Sequence, residues 1–340
     1  MFKTSVTGLD LAKNIFHLVK LSSKANRATH KRLRRSQVAN YFANMAPTHI
    51  AMEACGSSYY WARLLQSQGH QVELIPPQHV KAYLRGQKND YNDAQAIAEA
   101  CQHGQIRPVP VKTVAQQDEQ MLHRIREQVV RDRTALANQL RGLLSERGFT
   151  IPTGIASVRR RVPEILSMDN TELSPLGRRL LSRQYQRLLE LDAEVEWYEQ
   201  QLRAQVKLDD VCRRLAELPG FGPVVSSAYK SWIGQGTQFT RGRDASAALG
   251  LVPRQHTTGG KPRLGCITKR GDKYLRSLII HGARAVVQHS DGKSDPLSQW
   301  INRLKGTRGV NKATVALANK LCRIAWVLVT RAERYQPISA

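Results

Sequence analysis

The chain has few acidic residues for its size. Among its 340 residues, 27 Asp and Glu stand against 52 Lys and Arg, which gives a formal net charge of +25. Such an excess predicts a polyanionic partner, with nucleic acid favoured over an anionic membrane surface or an acidic protein. A merely basic surface is the alternative, and the size of the charge excess disfavours it.

Paired cysteines are also missing. The five cysteines are scattered, and no two form a C-x-x-C pair; they are Cys55, Cys101, Cys212, Cys266 and Cys322. An odd, dispersed set predicts reduced thiols in a cytoplasm, and neither a zinc site nor a disulfide framework. Cys101 and His103 are close enough in sequence to share a metal, but two such ligands without a second pair are more often incidental.

Long uncharged apolar runs are absent too. The first residues, MFKTSVTGLD, have polar and charged residues where the apolar region of a signal peptide would be, so we expect none. The most apolar late segment, 315–329, contains Asn319, Lys320 and Arg323 and predicts a buried helix rather than a membrane span. With 41% hydrophobic residues the chain is not of disordered composition, and its length predicts two or three structural units.

The first part, 1–107, alternates between strand and helix patterns. Strands are predicted at 5–10, 15–21, 48–54 and 71–77, with the basic stretch 27–35 as a possible further one. Helices are predicted at 37–45, 59–70 and 92–104, the last with Asp93 at its start. This order predicts an α/β unit with helices on the faces of a sheet.

The middle, 108–213, has long stretches free of Gly and Pro. Apolar residues recur every seven positions in its first half and at three- and four-residue steps in its second; they are Leu122, Val129, Leu136 and Leu143, then Leu181, Tyr185, Leu188, Leu191, Val195, Tyr198 and Leu202. Two long amphipathic helices are predicted, pairing within or between subunits as a coiled coil or as an ordinary bundle. Between them, 148–177 is expected to be irregular.

The last part, 214–340, is predicted to be mainly helical. Its segment ELPGFGPVVSSAYKSWIG places Pro-Gly-Phe-Gly between two helical patterns, as in helix-hairpin-helix elements that hold a phosphate. The same short turn is common in proteins that bind no DNA, so both interpretations stay open. The fold class is therefore α/β plus α.

One stretch of this last part, PRQHTTGGKPRLG at 253–265, combines hydroxyls, glycines, cations and a histidine. It is not a nucleotide P-loop, because Pro262 follows Lys261 where Ser or Thr is required and Gln255 stands at the first glycine position. Two interpretations of this stretch remain: a loop that bears a nucleophile and a simple polar turn.

Four carboxylates fall at predicted element ends. Asp10 and Glu53 end two strands, and Asp90 and Asp93, three residues apart, share a helix face. Carboxylate oxygens are the ligands that Mg²⁺ prefers, and two such ions can act on a phosphodiester. Each carboxylate alone also has an ordinary explanation as a turn cap, an exposed strand end or a helix N-terminal charge.

The combination of several segments resembles the transposases of the insertion-sequence 110 family, closest to its 1111 subgroup. These segments run in order over nearly the whole chain: GLDLAKNIFHLV, AMEACGSSYYWARLL, QKNDYNDAQAIAEA, LPGFGPVVSS and LGLVPRQHTTGGKPRLGCITKRGDKYLRSLIIHGARA. The resemblance implies a RuvC-like (RNase H-like) Asp-Glu-Asp-Asp catalytic domain at 1–107, a helical coiled-coil connector at 108–213 and a C-terminal transposase domain at 214–340.

Carried over by position, the resemblance makes Asp10, Glu53, Asp90 and Asp93 ligands of Mg²⁺, two ions per site. It implies an RNA-guided recombinase in which a noncoding RNA, called a bridge or seeker RNA, pairs with donor and target DNA. It further implies homodimers that pair into tetramers, composite active sites between subunits, and a bacterial cytoplasmic, nucleoid-associated protein.

The family's nucleophile is typically a Ser directly before a Gly, and this chain has Thr258 at that position. Thr attacks by the same chemistry, but its extra methyl crowds the approach to phosphorus. Thr257 is the second choice, and a polar hairpin in which neither hydroxyl reacts is the alternative.

Basic residues concentrate around this stretch, with nine Lys and Arg against two acids between 241 and 276. We expect them to contact nucleic acid. The alternative is that these basic residues only form a solvent-exposed surface, as runs of charged residues usually do. The predicted contacts are Arg241, Arg243, Arg254, His256, Lys261, Arg263, Lys269, Arg270, Lys273 and Arg276, with Arg254 and His256 also placed to help charge or proton transfer. Further basic runs at 159–161 and 178–187 can hold RNA or DNA.

The sequence therefore predicts a DNA transposase with a covalent protein–DNA intermediate. Two alternatives remain: a Mg²⁺-dependent nuclease or junction resolvase without a covalent intermediate, and a non-catalytic nucleic-acid-binding relic.

Overall fold

A computed structural model describes residues 5–22, 28–87, 89–169 and 172–337. Two compact units divide the chain, one covering Met1–Gln117 and the other Asp118–Ala340. Of the predicted basic strand 27–35, Arg27 lies outside the described residues.

The first unit contains a five-stranded mixed sheet in the order β3-β2-β1-β4-β5. Its strands are β1 Val6–Asp10, β2 Ile15–Leu21, β3 Ala28–Arg34, β4 His49–Glu53 and β5 Gln71–Ile75. β1, β2 and β3 pair antiparallel, while β1, β4 and β5 pair parallel. The predicted strands are all present, and the mixed sheet with helices confirms the predicted fold class.

Helices cover both faces of this sheet. They are α1 Arg35–Ala43, α2 Ser58–Ser67, α3 Pro77–Val80 with a 3₁₀ turn at Lys81–Tyr83, and α4 Asp90–Cys101. One core packs α1 and α2 on side chains such as Leu9, Ile50 and Met52. A second core joins α4 to Val6 and Ala51 on the opposite face. Because side chains alternate along a strand, Asp10 and Glu53 lie on the α4 face.

α4 begins at Asp90, two residues before the predicted start. Asn89 is its N-cap, and its side chain accepts a hydrogen bond from the Tyr91 amide at 2.9 Å. This cap satisfies one of the free amides of the first turn and extends the helix to include both Asp90 and Asp93.

Gly8 sets how closely α4 approaches the sheet. A Cβ at Gly8 would lie 2.0 Å from the Ala94 carbonyl oxygen and 2.9 Å from the Ala98 amide nitrogen. Only a residue without a side chain therefore lets the backbones of β1 and α4 meet here. The small side chains of Ala94 and Ala98, both fully buried, complete the contact.

The second unit starts with three packed helices, α5 Val114–Ser145, α6 Ile155–Ser167 and α7 Pro175–Leu208. Their shared core includes Leu140, Val158, Val162 and Leu188. The predicted irregularity of 148–177 was wrong for its centre. There, Val158, Val162 and Ile165 at helical spacing bury one face of α6, and this packing outweighs the helix-breaking tendency of Pro163.

The seven-residue repeat predicted in α5 holds only in part. Val129 and Leu136 are buried, but Leu143 is 47% exposed and Leu144 takes its place in the core. In an α-helix with 3.6 residues per turn, positions seven residues apart are rotated by about 20° around the helix axis. A strict seven-residue repeat therefore moves gradually away from the buried face. Ile125, on the same helix, is also exposed.

The rest of this unit is a helical domain that carries one hairpin. Its elements are α8 Asp210–Ala216, α9 Pro223–Ile233, α10 Gly242–Ala248, β6 Pro253–Thr258, β7 Lys261–Ile267, α11 Lys273–Gln288, α12 Pro296–Arg308 and α13 Val310–Thr330. By length and composition α13 is long and apolar enough to cross a membrane. Its buried residues Leu317, Leu321 and Ala325 belong to the core of this domain, which agrees with the predicted buried helix.

The Pro-Gly-Phe-Gly turn between α8 and α9 packs tightly on α11. Gly220 has φ +81°, and a Cβ there would lie 2.7 Å from the backbone of Gly282. Gly220 therefore has a packing role, whether or not the turn also contacts DNA.

Candidate active site and nucleic-acid interface

The four predicted carboxylates converge at one edge of the first unit. Asp10 and Glu53 end β1 and β4, which are parallel neighbours with Leu9 opposite Met52. Asp90 and Asp93 lie in the first turn of α4, the helix that packs on this face of the sheet. Strand pairing and the α4 contact together bring residues from three separate segments to one place.

The electrostatics of the cluster reflect mutual repulsion and burial. Burial raises the pKa of Asp10 to about 6, with further contributions from the negative charges of Asp93, Asp90 and Glu53, opposed by the Leu11 amide. Burial and Asp93 also raise the pKa of Glu53. A cation among these groups would offset both effects.

The donor set fits a divalent cation of the magnesium type, because carboxylate oxygens dominate it. Ligand atoms of Asp10, His17 and Asp90 all lie within 4.8 Å of one another. Glu53 and Asp93 interact electrostatically with Asp10 and with each other. Five side chains can therefore contribute to holding metal at this edge.

His17 is the member of this cluster that sequence reasoning missed. It lies on β2 directly opposite Asp10, and its Nδ1 is 3.4 Å from Asp90 Oδ2. Within the described part of the chain, this buried Nδ1 has no hydrogen-bond partner. The edge of the ring packs against Tyr91 with centroids 4.8 Å apart. The alternation of IFHLVKL could have shown the face, but the register of β1 with β2 was needed to place His17 at Asp10.

The predicted nucleophile loop is a β-hairpin. Gly259 and Gly260, with φ +56° and +75°, form its two-residue turn, and Thr258 pairs directly with Lys261 across it. Both central residues need positive φ, which explains the two glycines. All six residues of β6 are exposed.

The two hydroxyls lie on opposite faces of the hairpin. Strand alternation and pairing put Thr258 on one face with His256, Lys261 and Arg263. Thr257 shares the other face with Gln255, whose Nε2 donates to Thr257 Oγ1 at 2.9 Å. Thr258 is therefore the hydroxyl that has cations and an imidazole on its own face.

Most of the predicted basic contacts lie on the surface. Exposed positions include Arg241, Arg243, Arg254, His256, Lys261, Arg263, Lys269, Arg270 and Lys273. Arg276 is different, since it is 8% exposed and its guanidinium donates to the carbonyls of Leu249 and Arg270. Its position at the start of the amphipathic helix α11 turns it inward, where it holds the preceding loop.

Next to the hairpin lies a basic groove that the sequence did not reveal. It has a volume of about 1590 Å³, and six Lys and Arg line it, namely Arg241, Arg243, Arg308, Lys312, Lys320 and Arg323. No Asp or Glu of the described residues is among its lining. Four of the six come from α12 and α13, where the sequence indicated only a buried helix. The available signal was the four-residue step from Arg308 to Lys312 and the three-residue step from Lys320 to Arg323.

The connector arginines divide into two groups. Arg159 forms a two-point ion pair with Asp192, and Arg178 donates to the carbonyls of Leu166 and Met168. By contrast, Arg179, Arg183 and Arg187 recur every four residues on α7, are exposed and line a groove. These three form the cationic stripe of the connector.

Comparison with known proteins places these features in a family context. Residues 7–148 match a transposase family named for the Asp-Glu-Asp-Asp motif and IS110, and residues 212–298 match the transposase IS116/IS110/IS902 family. A probable family 20 transposase of Pseudomonas aeruginosa is 44% identical over 97% of this chain and 98% of its own length. The transposase of insertion sequence element IS1111A from Coxiella burnetii is 42% identical, covering 97% and 91%. The IS1328 transposase of Yersinia enterocolitica is 38% identical over 97% and 98%.

The raised pKa of Asp10 predicts a gain in stability when its charge is removed. Folding raises the pKa of this carboxyl group from its ordinary value of 3.8 to about 6. Its contribution to the free energy of unfolding is therefore fully present below pH 3.8 and is lost as the pH rises through about 6. In chelator, Asp10→Asn should therefore melt a few degrees above wild type at pH 7.5, with the difference shrinking toward pH 4. Thermal melts across this range measure it, and a variant less stable than wild type at pH 7.5 contradicts the assignment.

Proposed function

The chain belongs to the IS116/IS110/IS902 family of insertion-sequence transposases, and from this premise we propose that it recombines DNA with a metal-binding carboxylate site and a threonine nucleophile. Transposases are DNA recombinases, so the chain is an enzyme that binds DNA. The observation that carries the proposed chemistry is the convergence of Asp10, Glu53, Asp90 and Asp93 at one edge of the sheet.

In this proposal the four carboxylates hold Mg²⁺, two ions per site, with His17 beside Asp90. The bound metal would supply charge stabilisation and activation of an oxygen at the scissile phosphodiester. Burial and, after it, repulsion among the carboxylates raise the pKa values of Asp10 and Glu53, which supports a cation as their common partner.

The second part of the proposal is covalent attack by Thr258. Its Oγ forms a bond to phosphorus while one phosphorus–oxygen bond of the DNA strand breaks. His256, on the same face of the hairpin, accepts the Thr258 proton and returns it to the departing oxygen. Lys261 and Arg263 on that face meet the phosphate charge. Attack of a DNA hydroxyl on the phosphothreonine then rejoins strands and frees Thr258.

The basic surfaces support binding of two nucleic acids. We assign the groove to DNA, because it borders the base of the hairpin that carries the proposed nucleophile and its lining combines cations with apolar side chains. We assign the cationic stripe of Arg179, Arg183 and Arg187 to a noncoding guide RNA, whose phosphates match a row of exposed guanidinium groups.

We also propose that copies of the chain associate through the connector as homodimers and homotetramers. Exposed apolar side chains on α5 and α7 support this, among them Met121 at 54%, Leu180 at 56% and Trp197 at 54% exposure. The functional division remains the one predicted: a catalytic part at 1–107, a connector at 108–213 and a nucleophile-bearing part at 214–340.

A trapped protein–DNA adduct tests the nucleophile. Wild-type protein purified with its bound RNA and incubated with Mg²⁺ and nicked substrate DNA should give an adduct that survives denaturation. Thr258→Ala should abolish the adduct, Thr258→Ser should retain it, and Thr257→Ala is the matched control that keeps it. Denaturing gels with labelled DNA measure all four proteins.

Two results would contradict this assignment. An adduct that persists in Thr258→Ala and disappears in Thr257→Ala makes the other hydroxyl the nucleophile. DNA cleavage without any adduct, lost in Asp90→Asn, makes the protein a metal-dependent nuclease.

RNA guidance is tested by purification and sequencing of bound RNA. Wild type should retain one defined noncoding RNA. The triple variant Arg179→Ala, Arg183→Ala, Arg187→Ala should retain at least tenfold less of this RNA, because three phosphate contacts are removed. Gln186→Ala on the same helix is the control. A heterogeneous mixture of cellular RNA, equal in both proteins, contradicts the assignment.

A further inference from the structure

A second cluster of potential metal ligands lies at the opposite end of α4 from the carboxylates. It consists of His49 at the start of β4, Glu73 on β5 and Cys101 at the end of α4. β4 separates His49 from Glu53 by four residues, about 13 Å. Asp90 and Cys101 occupy the two ends of α4, roughly 16 Å apart. The cluster is therefore distinct from the carboxylate site.

The three side chains converge closely on one another. His49 Nε2 lies 3.1 Å from Glu73 Oε1. The Cys101 sulfur lies 3.6 Å from His49 Nε2 and 3.6 Å from Glu73 Oε2. His103, the neighbour in sequence that seemed able to share a metal with Cys101, instead packs its ring near Tyr83 at 6.1 Å between centroids.

One ligand atom from each of the three residues lies within 4.8 Å of the other two, close to the spacing of a tetrahedral zinc site. With bonds of about 2.3 Å to sulfur and about 2.0 Å to nitrogen and oxygen, a tetrahedral ion holds its ligand atoms about 3.3–3.6 Å apart. A cation can therefore be accommodated by small side-chain movements. His49 and Glu73 are 19% and 26% exposed, so water can reach a fourth position.

We propose that His49, Glu73 and Cys101 bind one divalent cation of the zinc class. The thiolate and imidazole donors select such an ion over Mg²⁺, which takes oxygen ligands. The scattered cysteines had argued against a zinc site, but that argument concerns ligand pairs close in sequence. Here each ligand comes from a different element, and only the fold brings them together.

Without a metal the cluster is held by hydrogen bonds. Burial and the neighbouring Glu73 carboxylate raise the pKa of the Cys101 thiol to about 12, while the contact with His49 lowers the pKa of Glu73. A metal must therefore displace the thiol proton, which passes to solvent as the metal–sulfur bond forms. The metal–sulfur bond itself is what a charge-transfer band would report.

The site would fasten the end of α4 to β4 and β5. The opposite ends of α4 and β4 carry Asp90, Asp93 and Glu53, so a metal here would hold the same two elements that position the carboxylates. The inference does not depend on the proposed recombination chemistry, because the cluster and the carboxylate site share no residue.

Cobalt titration tests the site on the full-length protein. Purified protein, stripped with chelator and kept reduced, is titrated with Co²⁺ at pH 7.5. We expect one equivalent to produce a near-ultraviolet sulfur-to-cobalt charge-transfer band, which Zn²⁺ then removes by displacement. Zn²⁺ should also raise the melting temperature of wild type more than that of Cys101→Ser, since this variant lacks one ligand of the folded site.

Matched variants identify which residues give rise to the charge-transfer band. Cys101→Ser should abolish it, and Glu73→Gln should weaken Co²⁺ binding at least tenfold. Cys266→Ser, at an exposed cysteine, and Glu53→Gln, at the carboxylate site, should leave it unchanged. Absence of a thiolate band in wild type overturns the proposal, as does a band that survives in folded Cys101→Ser protein; either result leaves the three residues as a hydrogen-bonded cluster.

Discussion

The direct contact of α4 with β1 at Gly8 is the constraint on which the first unit depends. A side chain at Gly8 would meet the Ala94 carbonyl at 2.0 Å, so the helix can lie this close only above glycine. Asp90 and Asp93 at the start of α4 are thereby held against the ends of β1 and β4, where Asp10 and Glu53 lie. The end of the same helix brings Cys101 to His49 and Glu73. One backbone contact thus positions both candidate metal sites.

The proposed chemistry is divided between the two units. The carboxylates carry negative charge that burial and repulsion make costly, and this favours a cation. The hairpin carries the opposite arrangement: Thr258 lies among His256, Lys261 and Arg263 on an exposed face, which favours a phosphate. Lys and Arg side chains also lie where polyanions are proposed to bind, along the groove of α12 and α13 and on the exposed face of α7.

Local patterns in the sequence predicted most of the fold and part of the site. Carboxylates at predicted element ends suggested Asp10, Glu53, Asp90 and Asp93 as a set, and the resemblance to a transposase family assigned them as metal ligands. Long-range geometry was not available: the register that puts His17 opposite Asp10, the packing that forms α6 despite Pro163, and the inward turn of Arg276 all depend on neighbours distant in sequence. The convergence of His49, Glu73 and Cys101 has the same origin, because three elements must pack before these side chains meet.

Manganese binding tests the central claim, that carboxylates from separate elements hold one metal site. Mn²⁺ takes the same oxygen ligands as Mg²⁺, and electron paramagnetic resonance of the free ion measures its affinity. We expect Glu53→Gln on β4 and Asp93→Asn on α4 each to weaken Mn²⁺ binding at least tenfold, while Glu73→Gln at the other cluster leaves it unchanged. Wild-type affinity in either Glu53→Gln or Asp93→Asn would contradict the account.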